Sequence, residues 1–138
     1  MKTIATILIV LLSGLRFDAA GVEADLVCLK VAEPPTIDGV LDDACWRKTS
    51  VATDFLVYDV NLTLPVKALK QTTARFVYDE AKLYFGVECE EPEPAKLRAQ
   101  ATRDGNVWED DSVELFFDAG GERRGYYQII VNSKGVVY

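Results

Sequence analysis

The chain contains no histidine in 138 residues, and its one methionine is Met1. A Cys/His zinc site is therefore excluded, and the three cysteines, Cys28, Cys45 and Cys89, show no spacing that resembles a zinc site. Basic residues are in the minority: 15 Lys and Arg stand against 22 Asp and Glu, a net charge of -7. An acidic surface repels phosphate backbones and anionic lipids, which argues against nucleic acid and membrane-surface partners. It tolerates neutral partners and favours divalent cations. Internal repeats and low-complexity tracts are also missing. What remains is an ordinary globular composition, 49% hydrophobic and 27% charged, on a length that supports one core.

Only one long uncharged apolar run is present, Thr3 to Leu15, preceded by Lys2. It has the length of a secretory h-region and is short for a bilayer span. Val22-Glu23-Ala24 places small or apolar residues at the cleavage positions, so residues 1–24 read as a signal peptide cut after Ala24, with Ala20 as second choice. The competing reading is a membrane anchor. Ser13-Gly14 is followed by Leu15 and not Cys, which disfavours lipidation. Removing residues 1–24 takes away Lys2, Arg16, Asp18 and Glu23, so the net charge stays at -7. The expected destination is outside the cytoplasm: secreted, cell-surface or periplasmic. An oxidising compartment permits one disulfide and leaves a spare thiol.

The remaining sequence, 25–138, reads as one domain of short strands. Leu41 to Trp46 suggests a single helical turn capped by Asp42 or Asp43, with Trp46 pointing into the core. Phe55 to Tyr58 reads as a strand, followed by a loop over Asn61 to Pro65. Thr73 to Tyr78 is rich in β-formers, and Asp79 to Lys82 makes a turn. Leu83, Phe85, Val87 and Cys89 then alternate with polar or small residues, which predicts a strand with those four on its apolar face and a buried Cys89. Ser112 to Asp118 alternates likewise, with Val113, Leu115 and Phe117 opposite Ser112, Glu114 and Phe116. Tyr126 to Asn132 predicts a further strand, with Tyr127, Ile129 and Val131 on one face. Tyr126, Gln128, Ile130 and Asn132 take the other. Asn132 to Gly135 is a hairpin turn, and Val136 to Tyr138 starts the return. Strands at this spacing predict an all-β, antiparallel sandwich of immunoglobulin-like or jelly-roll-like type. Ending three residues into a strand leaves an open edge, so residue 138 reads as a truncation point with further sequence expected beyond it.

Three stretches in order carry a resemblance. They are Ile37-Asp38-Gly39-Val40-Leu41-Asp42-Asp43-Ala44-Cys45-Trp46; Tyr78 to Val87 followed by Glu91-Pro92; and Trp108-Glu109-Asp110-Asp111-Ser112-Val113-Glu114-Leu115-Phe116-Phe117-Asp118 followed by Tyr127 to Asn132. Together they resemble the family 9 carbohydrate-binding modules, whose β-sandwich is related to DOMON domains. The resemblance implies non-catalytic binding of glucose- or xylose-type glycan ends by a module that works with polysaccharide-degrading hydrolases. Family members that bind sugar clamp a terminal unit between two Trp rings. Trp108, Glu114 and Asn132 match the family's binding positions; if the two strands are neighbours, Glu114, Gln128, Ile130 and Asn132 can line one shared surface. Two departures stand out: Ile130 replaces the family's Arg two residues before the Asn, and the second clamping Trp falls beyond residue 138. A sugar has an apolar face and a polar rim, which one aromatic plate and Glu, Gln and Asn side chains complement. Such a site gives binding of about -4 to -8 kcal/mol.

Each of these residues has a plainer reading. Trp108 suits a core or rim aromatic, Glu114 and Gln128 solvated strand positions, and Asn132 a turn. A glycosidase would need two carboxylates about 5 to 9 Å apart across the scissile bond. The neighbouring Asp110, Asp111 and Glu114 do not show that placement, so the module is expected to be non-catalytic. Any glycoside hydrolase domain would lie in further sequence. The family also binds structural calcium. Asp38, Asp42, Asp43, Asp104, Asp110 and Asp111 are oxygen donors of the right kind without EF-hand spacing, so the metal ligands stay open. Some DOMON relatives hold haem, but the chain offers no His and only a leader Met as axial ligand, so no haem is expected. The alternative to sugar binding is a structural or protein-interaction sandwich, which Ile130 favours. Asn61-Leu62-Thr63 fits the glycosylation pattern of a eukaryotic secretory host.

Overall fold

The computed structural model describes residues 26–57, 64, 66–121 and 124–138. The expected signal peptide, Tyr58 and the Asn61-Leu62-Thr63 pattern lie outside the described residues. Eight strands run in chain order: β1 (Leu29–Lys30), β2 (Val51–Ala52), β3 (Leu56–Val57), β4 (Val66–Lys67), β5 (Thr72–Tyr78), β6 (Leu83–Cys89), β7 (Ser112–Phe117) and β8 (Tyr127–Asn132). Two single 3-10 turns, Pro94–Lys96 and Val107–Glu109, supply the only helical residues among those described. The all-β class expected from the alternating pattern is what the chain adopts. The described residues group into two units, 26–56 with 66–91, and 92–138 with residues 57 and 64.

The first unit is organised by β5. Along one side it pairs with β6 from Thr72↔Cys89 to Tyr78↔Leu83, antiparallel across the Asp79 turn. Asp79 shapes that turn: its Oδ1 accepts the amides of Ala81 and Lys82 at 2.7 and 2.8 Å, and its Oδ2 accepts the Tyr84 hydroxyl at 2.6 Å. These bonds, the tyrosine hydroxyl first, hold the Asp79 carboxyl below its ordinary range and push the Tyr84 phenol up. Along its other side β5 pairs antiparallel with β2 and parallel with β1. The parallel pair departs from the wholly antiparallel expectation. A strand this short carries no alternation of its own, so its direction follows from where the chain arrives. Strands β3 and β4 form a separate two-stranded sheet.

Both faces of β5 are covered, because Phe76 and Val77 are neighbours and both are buried. Phe76 meets Phe85 edge to face at 5.3 Å. Val77 packs with Trp46 and Tyr84, and Val31, Leu41 and Cys45 close that cluster. Burying side chains of this size contributes about 1.5 to 3 kcal/mol each. Trp46 is thus a core residue, as expected. It arrives on a run of turns in place of a helical turn, with its amide bonded to the Asp43 carbonyl at 3.2 Å. Neither aspartate side chain serves as a cap among the described bonds: the Asp43 Oδ2 is buried without a partner, and Asp42 contributes its carbonyl to Arg47.

The faces of β6 depart in part from the expectation. Phe85 and Val87 are half-buried, but Leu83 is 38% exposed and Cys89 is exposed, whereas Tyr84 is buried on the other face. The reason lies at Gly86, where a Cβ would stand 2.8 and 2.9 Å from the two methyls of Leu41 and 3.4 Å from the Trp46 ring. The missing side chain lets Leu41 and Trp46 close onto that face. All three cysteines are free thiols, and burial pushes the Cys28 thiol up.

In the second unit β7 and β8 pair antiparallel from Ser112↔Asn132 to Phe117↔Tyr127. The turn after Asn132 closes with the Gly135 amide on the Asn132 carbonyl at 2.9 Å, and Gly135 takes the left-handed φ of +75° that the turn requires. The return segment comes back along β8: Ile130 and Tyr138 exchange backbone bonds of 3.1 and 2.9 Å. Here the burial is reversed. Tyr127 is exposed, whereas Ile130 and Asn132 are buried on the face read as polar.

Candidate functional site

All four site candidates lie in the 92–138 unit. β7 and β8 place Glu114 opposite Ile130 and Phe116 opposite Gln128, so Glu114 and Gln128 are diagonal neighbours. The Gln128 Nε2 donates to the Glu114 Oε2 at 2.7 Å. Glu114 is buried and Gln128 half-buried. Sequence alternation put these residues on one face, and the structure brings them into contact.

Asn132 shares that face, but its amide is engaged internally. Its Nδ2 donates to the Asp110 Oδ2 at 2.9 Å, and its Oδ1 accepts the amides of Lys134 and Val136 at 3.0 and 2.9 Å. It therefore builds the hairpin turn, the local role that asparagine often takes.

Asp110, weighed from the sequence as a catalytic carboxylate and as a calcium donor, is instead a structural hub. Its carboxylate accepts the Gln100 amide at 3.0 Å and the Ala101 amide at 2.9 Å, besides the Asn132 side chain. The guanidinium of Arg98 lies 3.7 Å away. The Gln100 amide, then those of Ala101 and Asn132 and the Arg98 charge, hold the Asp110 carboxyl below its ordinary range. Asp111 accepts the Arg98 amide at 2.6 Å. The two carboxylates thus tie the 98–101 segment to the corner that precedes β7. The sequence signal was faint: two aspartates directly before a strand are also common as solvated residues.

Trp108 sits on the 3-10 turn Val107–Glu109. Val107 beside it is fully buried, while Trp108 is 40% exposed and meets Tyr138 edge to face at 5.1 Å. Next to this turn, Arg98, Gln100, Thr102, Asn106, Glu109 and Asp110 contribute to an open, polar cleft of about 280 Å³. In it Asn106 and Arg98 donate to Glu109 at 3.1 and 3.3 Å.

Of the acidic residues considered as calcium donors, Asp38 accepts the Val40 amide, and Asp110 and Asp111 accept the bonds given above. Among the described residues no group of three or more acidic or cysteine side chains is arranged to hold a metal ion.

Comparison with known proteins adds the family. Residues 37–138 match the family described as "Carbohydrate family 9 binding domain-like". The Endo-1,4-beta-xylanase A of Thermotoga neapolitana is 34% identical over 100 residues, covering 68% of this chain and 8% of that enzyme. The chain thus spans a small part of that relative's length. No solved structure matches significantly. The matched region holds both long sheet pairs, β5–β6 and β7–β8, and all four site candidates, and the family is one of non-catalytic carbohydrate-binding β-sandwiches. This chain belongs to the carbohydrate family 9 binding domain-like family.

Proposed function

We propose that this chain is the binding part of an exported protein, secreted, cell-surface or periplasmic, which holds glucose- or xylose-type glycan ends and works with polysaccharide-degrading hydrolase domains. The observation that carries the reading is Trp108, a tryptophan inside the region that matches the family, partly exposed and next in the chain to residues that line a polar cleft. An exposed indole offers a pyranose its apolar plate, and the Glu114–Gln128 pair supplies acceptors and donors for hydroxyl groups. The xylanase relative favours xylan-type glycans as the first ligands to try.

A second reading has its own support. Ile130 is buried where the family has Arg, and Asn132 is spent on its turn. Both features favour a sandwich that has kept the fold and serves protein contacts. Calorimetric titration with xylo- and cello-oligosaccharides separates the two. Sugar binding with a Kd in the micromolar to millimolar range, lost in Trp108→Ala, is the expected result. Absence of binding to every such ligand would overturn the first reading, and equal binding by the variant would remove Trp108 from it.

A further inference from the structure

We infer that Tyr138 is a positioning residue for sugar stacking on Trp108; the inference rests on the glycan-binding reading above. The two rings sit 5.1 Å apart with an interplanar angle of 83°. In an edge-to-face pair, each ring keeps at least one face that the other does not cover. Trp108 is 40% exposed, so part of the indole stays open beside the tyrosine ring.

Both rings are carried on hydrogen-bonded backbone. Tyr138 is fixed by its two backbone bonds with Ile130, itself a fully buried residue. Trp108 follows fully buried Val107, whose carbonyl accepts the Asp110 amide at 3.1 Å. The return segment also accepts the Asp104 amide on its Val137 carbonyl at 3.1 Å, which ties the loop before Trp108 to the strand that carries Tyr138. The tyrosine ring thus limits rotation of an indole carried on a single 3-10 turn. A stacking plate fixed before the ligand arrives loses less freedom on binding. The phenol ring, not its hydroxyl, makes this contact.

The test compares the full chain with Tyr138→Phe, Tyr138→Ala and Trp108→Ala, using xylobiose and cellobiose as probes. Tyr138→Ala should weaken binding about 3- to 10-fold, the worth of an edge-to-face pair, while Tyr138→Phe keeps wild-type affinity. Acrylamide quenching without sugar gives an independent readout. Trp46 is 3% exposed, so quenching reports on Trp108, and it should rise in Tyr138→Ala alone of the two tyrosine variants. Unchanged affinity and quenching in Tyr138→Ala, while Trp108→Ala abolishes binding, would overturn the role of Tyr138 and leave the glycan-binding reading standing. Equal losses in both tyrosine variants would assign the effect to the hydroxyl and likewise overturn it. No binding by the wild-type chain would bring down the glycan-binding reading, and this inference with it. Melting curves of the variants identify any loss that comes from unfolding.

Discussion

Replacing Asn132 with alanine removes the acceptor of two backbone amides, those of Lys134 and Val136, and the side-chain donor to Asp110. Each backbone bond contributes about 1 kcal/mol net, so the two together contribute about 2 kcal/mol, and loss of the bond to the carboxylate adds to this. In a domain of about 60 to 100 residues, that lowers the melting temperature by about 8 to 16 °C. Circular dichroism melts, with urea titrations to confirm an unchanged slope, measure the loss. Asn132→Asp sharpens the test. It keeps the acceptor oxygen but sets a second carboxylate against Asp110, at the 2.9 Å position where an amide now donates. One of the pair must then bind a proton, which raises its pKa in the folded state above the unfolded value. A raised folded pKa means stability gained as pH falls, so the deficit of Asn132→Asp should be largest at neutral pH and shrink in mild acid. If Asn132→Ala melts within about 2 °C of wild type, the bonds described are not worth what the geometry implies. A stable Asn132→Ala that has lost only sugar affinity would instead restore Asn132 to the ligand site.

Three further outcomes follow from the packing and the charges. The Asp110 carboxyl is held below its ordinary 3.8, so it contributes stability that is complete above the ordinary range and is lost as pH falls through the depressed value. The stability difference between wild type and Asp110→Asn should therefore be flat above about pH 5 and narrow below pH 4, and a difference constant down to the lowest pH that permits folding would contradict the account. Gly86→Val drives atoms into both Leu41 and Trp46 and should cost about 1 to 3 kcal/mol by urea unfolding, partly recovered when Leu41→Ala is added; simple additivity of the two would refute the contact. Trp46→Ala should cost about 3 to 5 kcal/mol, and a smaller loss would mean that the Trp46, Val77 and Tyr84 cluster is not the core of its unit.

Much of the site was legible because a strand alternates. Period two placed Glu114, Gln128 and Asn132 on one face before any coordinates, and the structure joins Glu114 to Gln128. The Asp110 hub and the Trp108–Tyr138 pair were not legible. Their partners are 9 to 30 residues apart and come together through turns that carry no periodicity.

The sequence by itself determined the long strands, the turns at Asp79 and Asn132, the core position of Trp46 and the family. All of these rest on local propensity or on an ordered set of short patterns. Only the tertiary structure decided which face of β6 and β8 is inside, that Cys89 is exposed, and that β1 lies parallel to β5. Alternation defines two faces of a strand without naming the buried one. That choice belongs to what arrives from elsewhere in the chain: Leu41 and Trp46 closing over Gly86, and Asp110 reaching Asn132 so that a polar side chain can be buried with its bonds made.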